Sequence, residues 1–233
     1  MLFVCHSSLD REEIVKPILY HLYEFGIDIW YDHKKLFLSD SISFDIYKKG
    51  ILESSDILII YSRNLIENSK CGLAELDVIY KNCKNKTLYP VLYKSDLKDY
   101  SNQHLELLKS TIFYKVTLDN TYQVAVQIAI KLLKKIISRH TKNIDYYNKI
   151  TNILKKNVSD IYLSIPPYNN REKIVFLLLN INNNYNKHNR LFQEFNIDAM
   201  LNYFSSLIKL NSQVTENDVR LLELLNILVI LTL

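Results

Sequence analysis

Ser69-Lys70-Cys71-Gly72-Leu73-Ala74-Glu75-Leu76 holds the side chain with the clearest chemical promise, the carboxylate of Glu75. The segment follows the apolar run Asp56 to Tyr61 and reads as the start of a helix. At 100° per residue, Leu73, Leu76, Ile79, Tyr80 and Cys83 make one apolar stripe. Glu75 falls roughly 110° from the centre of that stripe, on its edge. Cys71 lies one turn earlier, on nearly the same side. A carboxylate beside the carboxyl end of a parallel strand stands where open α/β sheets bind ligands. On this segment alone two readings stand, a solvated surface glutamate and a ligand-facing one.

Other chemistries find less support. His6 beside Ser7 is adjacency only, without the orienting geometry of a hydrolase triad. Cys5 and Cys71 read as small apolar residues rather than reactive thiols. With three glycines, and neither GxGxxG nor GxxxxGK[ST], the chain builds no Gly-rich phosphate cradle. That argues against a hydride-transferring dehydrogenase and a nucleoside triphosphatase. Six scattered histidines show no metal-ligand spacing, so no metal is expected. Three cysteines without a CxxC pair fit a reducing compartment. The net charge of +4 on 233 residues is too mild to argue for nucleic acid, and the paired lysines read as solvated faces. No signal peptide is visible, and the longest apolar run, Ile227 to Leu233, is too short to span a membrane. The reading is a cytoplasmic protein, with 48% hydrophobic residues to fill a core.

The elements that must position Glu75 alternate. Leu2 to Cys5 reads as a buried strand, followed by the polar turn His6 to Leu9. Asp10 with Glu13 makes a capping box for a helix through Ile14, Ile18, Leu19, Leu22 and Phe25, kinked at Pro17 and ended at Gly26. Further strands are expected at Ile27–Tyr31, Asp56–Tyr61, Thr87–Tyr93 and Ile112–Val116. Pro90 sends the fourth of these toward a sheet edge. Asp40 caps a helix through Ile42 to Leu52, and Asp119 or Thr121 opens a long one through Ile136. Five strands alternating with helices imply a mainly parallel sheet covered on both faces.

Beyond about residue 138 strand signals vanish. Helices are expected near Tyr146–Lys156, Arg171–Asn182, Leu191–Leu210 and Glu216–Leu233, with a break at Ile165 to Asn170 and an Asn-rich loop from Asn182 to Asn189. Thr215 and Asp218 resemble a capping box for the last helix. That helix is apolar almost all round, as for the central helix of a small domain or a self-association surface. The chain stops there without a C-cap, as expected if part of the domain is missing.

In order, the first-half motifs resemble a Toll/interleukin-1 receptor (TIR) domain of the bacterial NAD-cleaving kind. Phe3 to Asp10 is similar to the family's first strand and following loop, and Gly26 to Asp32 to its second strand. Leu36 to Ile42 resembles the BB loop, and Gly50 to Ser55 the end of the helix after it. Ser62 with Ser69 to Leu76 resembles the segment bearing the catalytic glutamate. The resemblance implies a flavodoxin-like α/β fold, a five-stranded mainly parallel sheet flanked by helices, over residues 1–138. A small all-α domain over residues 139–233, for oligomerisation or sensing, would follow. Three positions depart from the pattern: Cys71 stands for the usual Trp, Gly72 for the usual Cys, and Ser39 for the BB-loop Gly.

The resemblance implies cleavage of the nicotinamide–ribose bond of NAD+, as a glycohydrolase or ADP-ribosyl cyclase in antiviral or immune-like signalling. Nicotinamide departs neutral and needs no general acid. One carboxylate, Glu75, would steady the oxocarbenium-like ribose. Ser7 and Ser8 would lie along the nucleotide, or would only turn the chain and cap the helix. Phe37 would stack on a ring, or pack under the BB loop, and Asp32 would anchor that loop. Trp30 and Tyr31 read as core, Asp45 and Glu53 as solvated charges. NAD+ is then substrate, with no cofactor, no metal, no nucleic acid and no membrane as partners. The alternative is a non-catalytic adaptor working by TIR–TIR self-association, which Cys71 and Ser39 favour because they weaken the expected pocket.

Overall fold

The computed structural model describes residues 1–31, 49–96, 111–140, 169–185 and 195–231. The expected BB loop, Asp32, Phe37, Ser39, Asp40, Asp45, the helix near Tyr146–Lys156 and residues 165–168 of the expected break lie outside these residues. The described chain divides into two units, Met1–Tyr23 with Ile27–Ala125, and Glu24–Gly26 with Val126–Leu233.

In the first unit, short apolar runs pair as strands. β1 (Leu2–Cys5) lies between β2 (Ile29–Trp30) and β3 (Asp56–Tyr61), and β3 pairs with β4 (Thr87–Tyr93), which pairs with β5 (Tyr114–Val116). The pairings are parallel, in the order β2-β1-β3-β4-β5. Continuous apolar runs suit such a sheet, because each strand is buried on both faces. β1 and β3 are buried along their whole length. Phe3, Cys5, Ile57, Ile59 and Tyr61 point into one cluster with Trp30, Leu65, Leu76, Ile79 and Leu92. The ring of Trp30 stacks on that of Phe3 at 5.1 Å, so it is core, as expected.

Several details depart from expectation. The edge strands are shorter, since Ile112 is 91% exposed and only Tyr114–Val116 pairs. β4 is one strand in from the edge. Its Pro90 pairs with Ile59 but lies just outside the span that β5 covers, so its missing N–H costs no bond on that side. Asp10 does not cap the first helix with its side chain. A wider π-type turn over Arg11–Val15 precedes the regular helix α1 (Lys16–Glu24), and Pro17 sits in its first turn, where the lost donor matters least. Gly26 ends this segment at φ +74°, a conformation that favours glycine.

After β3 come α2 (Arg63–Asn68) and α3 (Lys70–Asn82). The long helix α4 (Thr121–His140) is led in by a short turn, where Asn120 Oδ1 accepts from the Thr117 N–H at 2.8 Å. The cap residue is thus Thr117, upstream of the expected Asp119 and Thr121.

The second unit contains helices and no β1–β5 strand. These are the part of α4 from Val126 onward, α5 (Asn170–Asn184), α6 (Ile197–Lys209) and α7 (Glu216–Leu231). The expected loop start at Asn182 is instead the last turn of α5. Buried Ile174, Leu177, Leu178 and Ile181 keep the helical spacing, and Asn184 Nδ2 donates back to the Asn180 carbonyl at 2.8 Å. The Thr215–Asp218 capping box is present, with the Thr215 N–H on Asp218 Oδ2 at 2.7 Å. Leu221, Leu222, Leu225, Leu228 and Val229 of α7 are fully buried. Its buried Asn226 is satisfied by Asn180 Nδ2 at 3.0 Å.

Candidate functional site

The chain leaves β1 to form β2 on one side of it, then crosses back to form β3 on the other. The carboxyl ends of β1 and β3 therefore flank the topological switch point, where open α/β sheets leave a crevice. Cys5 ends β1 and Tyr61 ends β3. Two serines then turn the chain into helices. Ser62 Oγ accepts from the Leu65 N–H at 3.0 Å and caps α2. Ser69 Oγ accepts from the Gly72 N–H at 3.0 Å and caps α3.

Glu75 lies on the buried face of α3 with Gly72, Leu76 and Ile79, and is 8% exposed. The stripe geometry places it on the edge; the first turn of α3 comes close enough to the end of β1 to cover it. A Cβ built on Gly72 would lie 3.2 Å from the His6 carbonyl oxygen and 2.4 Å from Leu65 Cδ1. Cys5 Sγ lies 3.8 Å from the Gly72 carbonyl oxygen, its hydrogen-bond acceptor, and Glu75 follows on the same buried face of α3. Burial first, then the Glu75 charge, hold that thiol well above its ordinary titration range. The sulfur is thus a neutral S–H beside a buried carboxylate.

Cys71 is exposed, although Cys5 is buried. Cys71 and Glu75 differ by about 40° around the helix, enough at the rim of a buried face to separate them. Cys71 is therefore not the apolar filler expected.

The loop after β1 is fixed by a residue whose partners sequence reasoning missed. Asp10 is buried, and its carboxylate accepts from the Ser62 hydroxyl and, at 2.7 Å, from Asn64 Nδ2. These contacts cross more than fifty positions of sequence, so no local periodicity reports them. Ser7 is fully buried, and its hydroxyl accepts from the Leu9 N–H at 3.3 Å. That is the turn-capping use of Ser7. Ser8 is exposed. His6 is buried with Nδ1 3.4 Å from the Val4 carbonyl, and its ring lies 5.4 Å from that of Tyr31. Cys5, Gly72 and Glu75 come together at the switch point, with Ser7 two residues beyond Cys5. Phe37 lies outside the described residues. Glu53 is exposed, as read from the sequence.

The sequence profile of the TIR domain matches residues 2–126, more than half of the chain. The chain belongs to the TIR-domain family. Its sheet order and helical flanks are those of the flavodoxin-like TIR fold. Two curated TIR relatives are similar in sequence. The 2′ cyclic ADP-D-ribose synthase AbTIR of Acinetobacter baumannii is 28% identical over 143 residues, 59% of this chain and 49% of that protein. The NAD(+) hydrolase TcpC of Escherichia coli is 25% identical over 130 residues, 54% of this chain and 41% of that protein. The chain spans half or less of the length of these relatives. Among the described residues of this TIR protein, no group of three or more His, Cys, Asp or Glu is placed to hold a metal ion. No described helix is long and apolar enough to cross a membrane.

Proposed function

We propose that this TIR domain cleaves NAD+ at the nicotinamide–ribose bond, with Glu75 as the catalytic residue. The single observation that carries the reading is the buried Glu75 carboxylate at the β1–β3 switch point. The names of AbTIR and TcpC, a cyclic ADP-ribose synthase and an NAD+ hydrolase, support it. The C1′–N bond breaks with its electron pair going to the nicotinamide ring nitrogen, so nicotinamide leaves neutral. Positive charge develops at C1′ and the ring oxygen. A carboxylate held away from bulk water stabilises that charge more than a solvated one, because little solvent screens it. Attack by water at C1′ gives ADP-ribose and a proton. Attack by a hydroxyl of the same molecule gives a cyclic isomer, and attack by another base gives exchange.

In this reading the turn capped by Ser7 and anchored by Asp10 borders the nucleotide, with exposed Ser8 free to contact it. Phe37 belongs to the same proposed binding surface. Residues 139–233 serve oligomerisation or sensing, and the protein acts in the cytoplasm in immune-like signalling. Purified protein incubated with NAD+ should release nicotinamide, and Glu75→Gln should lower the rate by at least about 10²-fold, the usual cost of removing a charge-stabilising group. Mass spectrometry of the products distinguishes hydrolysis, cyclisation and exchange. No release at high protein concentration with a crowding agent refutes the enzyme. The exposed Cys71 thiol, standing where the family pattern has an aromatic, favours the second reading of a TIR–TIR adaptor. Concentration-dependent oligomers and intact signalling in Glu75→Gln would support that reading.

A further inference from the structure

We propose that Cys5 is the positioning residue for Glu75: its thiol, fixed at the carboxyl end of β1, donates to the carboxylate and sets the direction in which it faces the site. The assignment rests on the NAD-cleavage reading above for its functional meaning, and on the packing of the first turn of α3 against the end of β1, which brings Gly72 and the same-face Glu75 to the buried thiol. Cys5 is 0% exposed and is held in register against Ile59 of β3, so its Sγ has little room to move. The first turn of α3 is pressed against it, with the Gly72 carbonyl 3.8 Å from Sγ. Glu75 follows one turn later on the same buried face and is the thiol's second neighbour.

A thiol has one proton to give, and an ionised acceptor holds it more strongly than a neutral carbonyl. Burial and the adjacent carboxylate both oppose a thiolate, so the sulfur supplies a donor rather than a second negative charge. A glutamate side chain has three rotatable bonds before its oxygens. A fixed donor on the strand opposite removes that freedom at the point where the reaction needs alignment. Glu75 then keeps one oxygen on the protein and presents the other to the crevice.

Two experiments on the full chain test this. In the first, Cys71 and Cys83 are replaced by serine, leaving Cys5 as the one thiol of the three in the sequence. Its S–H stretching band is recorded by infrared spectroscopy with Glu75 and with Glu75→Gln. The band should move to higher wavenumber when the charged acceptor is removed; an unmoved band overturns the contact. In the second, Cys5→Ala should lower kcat for NAD+ cleavage about 10- to 100-fold, the worth of a hydrogen bond to a charged group, with KM changed less than about twofold. Cys5→Ser, which keeps a donor, should recover most of the loss. Equal kcat in Cys5→Ala and wild type overturns the positioning role. A band that moves in a protein that leaves NAD+ intact upholds the Cys5–Glu75 bond and ends the NAD-cleavage reading, so the two failures are separable.

Discussion

Replacing Gly72 with alanine tests whether close approach of α3 to β1 builds the site. Helix propensity alone predicts stabilisation, because alanine in a helix is worth up to about 1 kcal/mol over glycine. The surroundings oppose it. The new Cβ would lie 2.4 Å from Leu65 Cδ1, 2.6 Å from Ser69 Oγ and 3.2 Å from the His6 carbonyl oxygen. Leu65 is 0% exposed and packed in the buried cluster, so its methyl can yield only by pushing on buried neighbours. Ser69 Oγ is the cap on the Gly72 N–H, and displacing it forfeits about 1 kcal/mol. Overpacking at such a site costs about 1–3 kcal/mol. The cap loss and propensity gain roughly cancel, leaving a net destabilisation of about 1–3 kcal/mol. In a chain of this size that lowers Tm by about 2–12 °C. The helix must also shift outward and carry Glu75 with it, and a misplacement near 1 Å costs about 10²-fold in rate. Thermal unfolding and nicotinamide release, measured on the same preparation, check both. A Gly72→Ala protein that melts at or above the wild-type temperature with unchanged turnover refutes the close-approach argument.

Asp10→Ala should destabilise by about 1–3 kcal/mol in urea titration, because it strands the buried Ser62 hydroxyl. Since Asp10 holds the turn bordering the proposed nucleotide site, the same variant should raise KM for NAD+ more than it lowers kcat; a pure kcat loss contradicts that placement. Alkylation at mildly alkaline pH should label exposed Cys71 and spare Cys5, read by peptide mass spectrometry, because burial and Glu75 keep the Cys5 thiol protonated. Labelling of native Cys5 at the Cys71 rate contradicts this. Lys94 donates to Glu13 at 2.5 Å and holds the Glu13 carboxyl below its ordinary range. A depressed folded-state value gives stability present above the unfolded carboxyl range and lost as pH falls through the folded value. The gap in urea midpoint between wild type and Lys94→Met should therefore close on acidification; a gap that widens in acid reverses the sign.

Much of the frame was legible because burial on two faces leaves a local mark. β1, β3 and β4 appeared as continuous apolar runs, and their parallel pairing followed from the helices between them. The capping box of Thr215 and Asp218 was equally visible, since both partners lie within one turn. Edge strands were overestimated at Ile112 because apolar residues there face solvent. By composition the Asn-rich end of α5 reads as loop, but the buried spacing that ends at Ile181 carries the helix through it.

The sequence by itself determined the strand–helix alternation, the TIR motif order and the carboxylate worth watching. Tertiary structure alone decided what surrounds that carboxylate. It buried Glu75 and exposed Cys71 one turn away, set Cys5 against Glu75, and turned Asp10 from a helix cap into a clamp on Ser62 and Asn64. Periodicity reports one element's face toward a core. It carries no information on which distant strand end fills the space beside that face, because such contacts form only when the crossover brings β1 and β3 together.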